Sequence, residues 1–239
     1  MKKLLKKLAL LPLFCGLVLT SACSNDDENG NGNDIPTSWF DGTITATVVN
    51  GNDYNDLISR VGAVTRANNS LETIATSAWS SGGFTITLPE TLESRFLWSI
   101  ESEFEDMPHV IISDRNARIS SAEIEAFDDQ NNVVGVFMNI REDENLFVMT
   151  ILAYADRDVS QIGSDGYDQT WNLSLRRGWN KIYVIERETA TGGEVLFTTE
   201  AVNGLRWHFV EFVEDDWFSA PMATKSTTEN RSIFSRLGR

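Results

Sequence analysis

Beyond residue 39 the chain alternates between apolar and polar positions at short range, with turn residues between the runs. Phe84-Thr-Ile-Thr-Leu88 is the cleanest case: Phe84, Ile86 and Leu88 share one face, and Thr85 and Thr87 the other. Pro89, which has no N–H to give a ladder, ends that strand. Residues 43–49 are β-branched and roughly alternating, with the turn cluster Asn50-Gly-Asn-Asp53 behind them. Residues 57–64 predict a second strand, and 77–79 lead into the turn Ser80-Ser-Gly-Gly83. Residues 90–114 are mixed and read as a long connection holding a helical turn. A more regular half follows. Residues 117–127 predict a strand with Ala122, Ile124 and Ala126 inward, 128–132 a turn, and 133–138 the answering strand of a hairpin. Residues 147–154 are almost wholly apolar, the mark of a central strand covered on both faces. Residues 156–168 read as a Gly/Asp/Ser loop, after which 171–175, 179–185, 194–198 and 205–209 each predict a strand.

That makes nine or so strands, no amphipathic helix and no fixed-period repeat. The expected fold is all-β, an antiparallel β-sandwich of the Ig-like or transthyretin-like kind. It is either one elaborated sandwich over 38–218 or two in tandem, 38–90 and 115–218, broken near 90–115. Residues 219–239 are polar, carry Lys225, Arg231, Arg236 and Arg239, and predict a disordered tail.

The first 37 residues follow other rules. Lys2, Lys3, Lys6 and Lys7 precede an apolar run of about a dozen residues, short of the roughly 20 that span a bilayer. Small residues close the run, as in a cleaved secretory signal. The ending Thr20-Ser21-Ala22-Cys23 resembles the lipobox of bacterial lipoproteins, although Thr20 stands where that family prefers Leu and Leu19 lies one position further back. The resemblance implies a signal over 1–22 and a lipidated Cys23 as the mature N-terminus. Ordinary cleavage near Ala22 is the alternative. The only other cysteine, Cys15, falls inside the signal, so no disulfide is expected. Residues 23–37 are rich in Asn, Gly and Asp and predict a flexible acidic tether; 14 residues of such chain have a root-mean-square span of roughly 20 Å. Asp26-Asp27-Glu28 resembles the signal by which some Gram-negative bacteria carry lipoproteins to the outer leaflet, which implies outer-membrane anchoring at the cell surface.

Two further resemblances concern the domain. Gly82-Gly83-Phe84-Thr85-Ile86-Thr87-Leu88-Pro89, following the opening strand at 43–49, resembles the transthyretin-like or carboxypeptidase-regulatory-like sandwich over roughly residues 42–90. Ala155-Asp-Arg-Asp-Val159, the run from Leu173 to Val184 and Leu205-Arg-Trp207 together look like a group of surface lipoproteins. Both imply fold class and location, and neither implies chemistry.

Charge narrows the partners. All 35 acidic residues lie beyond Cys23, against 16 basic ones there, so the mature chain carries a net charge of −19. Nucleic acid and anionic headgroups are poor partners for that field. The membrane contact expected is the one through Cys23, with a polysaccharide or an outer-membrane protein as the further partner.

Catalytic signatures are sparse. His109 and His208 are the only histidines, neither has a second ligand at metal spacing, and the sequence contains no nucleophile elbow or phosphate-cradling loop. No metal, cofactor or catalytic residue is expected, and the protein reads as a non-enzyme. A carboxylate-pair glycosidase is a minor alternative, since such a pair is defined only in three dimensions. The acidic stretch 156–168 offers oxygen ligands of the kind Ca²⁺ takes, but Arg157 in its midst opposes that use. Seven tryptophans remain. Trp171, Trp179 and Trp207 lie in alternating strands and belong to the core. Trp39, Trp98 and Trp217 flank strands and are the candidates for stacking on a sugar ring. The function expected is a lipid-anchored surface binding module for a glycan or a macromolecule. The alternative is a structural or adhesive subunit associating through exposed sheet edges.

Overall fold

The computed structural model describes residues 40–67, 70–105, 107, 109–189 and 192–212. The expected signal, Cys23, the expected tether, Trp39, Trp217 and the expected C-terminal tail lie outside the described residues. The described residues fall within one compact unit.

The chain is an all-β sandwich of fourteen described strands. They are β1 (Thr43–Thr47), β2 (Arg60–Ala67), β3 (Ser70–Ala78), β4 (Gly83–Thr87), β5 (Trp98–Ser99), β6 (Val110–Ile112) and β7 (Arg118–Phe127). The second half adds β8 (Val133–Asp143), β9 (Leu146–Ala155), β10 (Val159–Ser164), β11 (Gln169–Leu175), β12 (Gly178–Thr189), β13 (Gly192–Thr198) and β14 (Arg206–Glu211). One short helix, α1 (Ile100–Glu103), lies between β5 and β6. β1 and β4 form a two-stranded sheet; the other twelve strands form one sheet. Its main path runs β3-β2-β7-β8-β9-β12-β13-β11-β10-β6, with β14 added to β8 and β5 to β7. Strand pairing is antiparallel except between β11 and β13.

The large sheet forks at β7. Its first half, Ile119 to Ala122, pairs directly with β9, and its second half, Ile124 to Phe127, pairs with β8. β9 then presents alternate residues to two cores. Leu152 and Tyr154 join a first core with Ile44, Ile86, Val61, Ile124 and Phe209, while Ile151, Ala153 and Ala155 join a second with Ile119, Val184, Trp171 and Phe197. That double burial is why residues 151–155 are apolar without exception. Both expected segments, 38–90 and 115–218, contribute to the first core.

The first core lies between the β1–β4 pair and the large sheet. Phe84, Ile86 and Leu88 are buried, and Thr85 and Thr87 are exposed, as the alternation predicts. Trp79 stacks on Phe137 at 5.3 Å between ring centroids and donates its indole N–H to Asn55 Oδ1. The β3–β4 turn has Ser80 and Gly83 exchanging both backbone hydrogen bonds at 3.0 Å, with positive φ at Ser81 and Gly82, the mirror-image turn that suits strand twist. Gly82 also lies against Gly51 so closely that a Cβ on Gly51 would sit 2.2 Å from the Gly82 carbonyl oxygen.

Three readings need correction. Residues 156–168 are not simply a loop, because β10 fills their middle. Its sequence, Val-Ser-Gln-Ile-Gly-Ser, hides a strand: the inward positions are Val159 and Gln161, and Ile162 faces out. β3 escaped notice before Ser77 because its polar residues line an outer strand of the sheet. The connection over 90–114 contains β5, α1 and β6. Trp171 and Trp179 are buried as expected, whereas Trp207 is only partly covered.

One core strand carries a buried acid. Glu125 sits on β7 between Gly62 and Val136 and is 9% exposed. Burial, then the charge of Glu123, pushes its carboxyl up to about 7. The folded state therefore holds this proton more tightly than the unfolded chain, and the group costs stability as pH rises from ordinary glutamate values through 7. Glu125→Gln should gain on wild type between about pH 5 and about pH 8, by at most about 3 kcal/mol in urea unfolding; a difference independent of pH refutes the assignment. Gly51→Ala should destabilise by about 1–3 kcal/mol, because the Gly82 backbone cannot yield as a side chain does. An unchanged urea midpoint would show that the two turns separate freely.

Candidate functional site

Around the second core the large sheet curls. One face of the strand series β5-β7-β9-β12-β13-β11-β10-β6 contributes to a single apolar cluster built on Trp171 stacked against Phe197, with centroids 5.3 Å apart and planes at 2°. The two ends of this series, β5 and β6, do not pair with each other among the described residues. The chain between them, α1 and the turns after it, lies across the seam.

Burial holds that crossing in place. Ile100 is wholly buried and its N–H donates to the Ala117 carbonyl at 3.1 Å. Phe104 enters the second core edge-on to Trp171, at 5.6 Å and 87°. Successive turns then return the chain to β6: Phe104 N–H donates to Glu101 O, Met107 N–H to Phe104 O and Val110 N–H to Met107 O, all between 3.0 and 3.2 Å. Ser102 Oγ closes the first turn onto Ser99 O at 2.7 Å.

A cavity of about 360 Å³ opens at this seam. Phe104, Met107, Val110 and Ile112 supply apolar wall; Ser99, Glu101, Ser102, Glu105 and Arg115 supply polar groups. Its volume falls in the range of small-ligand pockets, while its lining, five polar or charged residues against four apolar ones, is more polar than that of most such pockets. Arg115 Nη1 donates to Glu101 Oε1 at 2.9 Å with both side chains more than half exposed, so this pair orients the rim and contributes at most about 1 kcal/mol. The frame behind the cavity is stiffer. Arg118 Nη2 donates to the carbonyls of Ser94 and Leu97, and the Arg118 N–H donates to Asp156 Oδ1 at 2.9 Å. Burial would raise the Asp156 carboxyl, but Arg157, the Arg118 N–H and both positive charges hold it below the usual range.

Trp98, in β5, immediately precedes the cavity-lining Ser99. It pairs with Ile119, packs partly buried on the second core, and has its indole N–H buried without a partner among the described residues. It is partly buried against the second core beside the seam. Trp39, Trp217 and Cys23 lie outside the described residues. Residues that do line it went unread in sequence. Their signal was the length of the connection: structureless stretches beyond about 15 residues are uncommon and usually functional.

The stretch 156–168 does not gather its carboxylates. Asp156 binds the Arg118 N–H and Arg157, Asp158 accepts the Arg177 N–H, and Asp165 accepts the N–H groups of Tyr167 and Gln169. Asp165 shapes a local turn, whereas Asp156 and Asp158 tie the stretch to β7 and to the connection between β11 and β12. Among the described residues no group of three or more His, Cys, Asp or Glu is placed to hold a metal. His109 is exposed, and His208 is lowered by burial and by Arg206.

Comparison with known proteins returns no matching family model, no matching curated protein and no matching solved structure.

Proposed function

We propose that the protein is a lipid-anchored module of the cell surface that binds a macromolecular partner through the seam between β5 and β6. The observation that carries this reading is the cavity of about 360 Å³ at the seam where, among the described residues, the sheet wrapped around the second core is left unclosed. A macromolecule is favoured over a free glycan because the described tryptophan beside the seam is packed inward, and because the rim is charged rather than a flat aromatic platform. The lipobox-like Cys23 and the acidic tether supply the membrane attachment in this reading.

Association through sheet edges is the second reading, and β3 favours it. This outermost strand of nine residues has Leu71 half exposed. Two devices blunt that edge: an irregularity that leaves Ile74 without a partner on β2, and the Arg95–Glu72 ion pair at 2.6 Å. The seam is therefore preferred.

Two measurements test the proposal in cells. Cys23→Ser should abolish labelling with a fatty-acid analogue and release the protein from membranes; retained label overturns the anchor. A photo-crosslinking amino acid at the exposed Ser102 should give a discrete adduct on intact cells, while one at the exposed Val133, at the opposite end of β7 from β5, should not. Equal adducts at both positions, or none at Ser102, would remove the seam as the binding site.

A further inference from the structure

We propose that the seam holds an extended segment of the partner polypeptide, added as a strand to the open edge of β6, with an apolar side chain in the cavity and basic side chains two positions to either side. This rests on the seam being the binding site.

Backbone geometry supplies the first part. Ser113 N–H donates to Ser160 O at 3.1 Å, which makes those residues a hydrogen-bonded pair of the β6–β10 ladder. Antiparallel pairs alternate, so Ile112, opposite Gln161, is a pair of the other kind, and its N–H and C=O point away from β10. They point to the side on which no described strand pairs with β6. A row of such groups is a template for an added strand. The side chains of β6 alternate accordingly: Val110 and Ile112 line the cavity, and Ile111 faces out at 73% exposure.

Side chains supply the second part. β6 is only three residues long, so few main-chain bonds are on offer and a side-chain pocket must add affinity and choice. The floor of Phe104, Met107, Val110 and Ile112 suits one aliphatic side chain. In an extended chain the residues two positions away share its face, roughly 7 Å along in each direction. Around the cavity stand Glu101 and Glu105, two carboxylates against the single guanidinium of Arg115, on a chain of net charge −15. Complementary charge at such a rim favours basic residues.

The test uses the full chain in detergent micelles and fluorescence anisotropy of a labelled heptapeptide, Thr-Arg-Thr-Val-Thr-Arg-Thr. A counterpart with glutamate for arginine, and the arginine peptide N-methylated on its internal amides, complete the set. The arginine peptide should bind, and the other two should bind at least about tenfold more weakly. Glu101→Gln with Glu105→Gln should also cost about tenfold. Ile112→Pro removes the donor on the open edge while leaving the β10 ladder intact, and should cost about as much with the fold retained by circular dichroism. Should that variant fail to fold, the N-methylated peptide decides the same point. Equal binding of the methylated peptide overturns edge pairing. Binding of neutral oligosaccharides in place of any peptide overturns the polypeptide ligand and leaves a binding module standing. Failure of both ligand classes overturns the seam as a site altogether.

Discussion

The fold depends on one strand being buried on both faces. β9 sends Leu152 and Tyr154 into one core and Ile151, Ala153 and Ala155 into the other, so it needs sheet on either side and apolar residues at every position from 151 to 155. The fork at β7 follows from the same demand. β7 stays with β9 through Ala122 and then leaves it for β8, which lets one continuous sheet serve two cores that diverge in direction. On one side β1 and β4 complete a sandwich. On the other the sheet has no second layer to meet, so it curls around Trp171 and Phe197 until its ends approach without pairing. The seam is the consequence of that curl, and the cavity is what α1 and its turns leave uncovered.

This division explains where rigidity and openness lie. Inside the curl, stacked and edge-on aromatic contacts fix Trp171, Phe197 and Phe104, the last being the anchor of the seam crossing. Arg118 and Asp156 pin the back of the crossing to β7 and β9 through backbone hydrogen bonds, which are stronger for involving charged groups. The rim, by contrast, is made of exposed side chains on short turns. A site of fixed floor and adaptable rim is suited to taking one side chain from a longer chain.

Alternating strands were legible in the sequence because period-two burial writes itself directly into residue type. Phe84-Thr-Ile-Thr-Leu88 and the run to Leu175 are instances, and residues 147–154 announce a central strand by having only one polar position, Thr150. β10 was hidden because Gln161 takes an inward position and Ile162 an outward one, inverting the cue. β3, β5 and β6 were missed for a related reason: outer and two- or three-residue strands bury too little to impose a pattern. The seam residues fall in just such a stretch. Glu101, Phe104, Glu105 and Met107 belong to a stretch of mixed pattern, and only three-dimensional closure of the second core joins them. Trp98 was legible as an outlying tryptophan, but its inward packing depends on pairing with Ile119, a contact that no local pattern encodes.

If β7 and β9 are shared, neither core can melt alone. The direct measurement is scanning calorimetry of the full chain beside Ile124→Ala, which empties the first core, and Leu173→Ala, which empties the second. Each substitution should remove about 2–5 kcal/mol. A single transition that moves down in both variants is the predicted result. Two transitions, each responding to one variant and indifferent to the other, would contradict a fold built on shared strands.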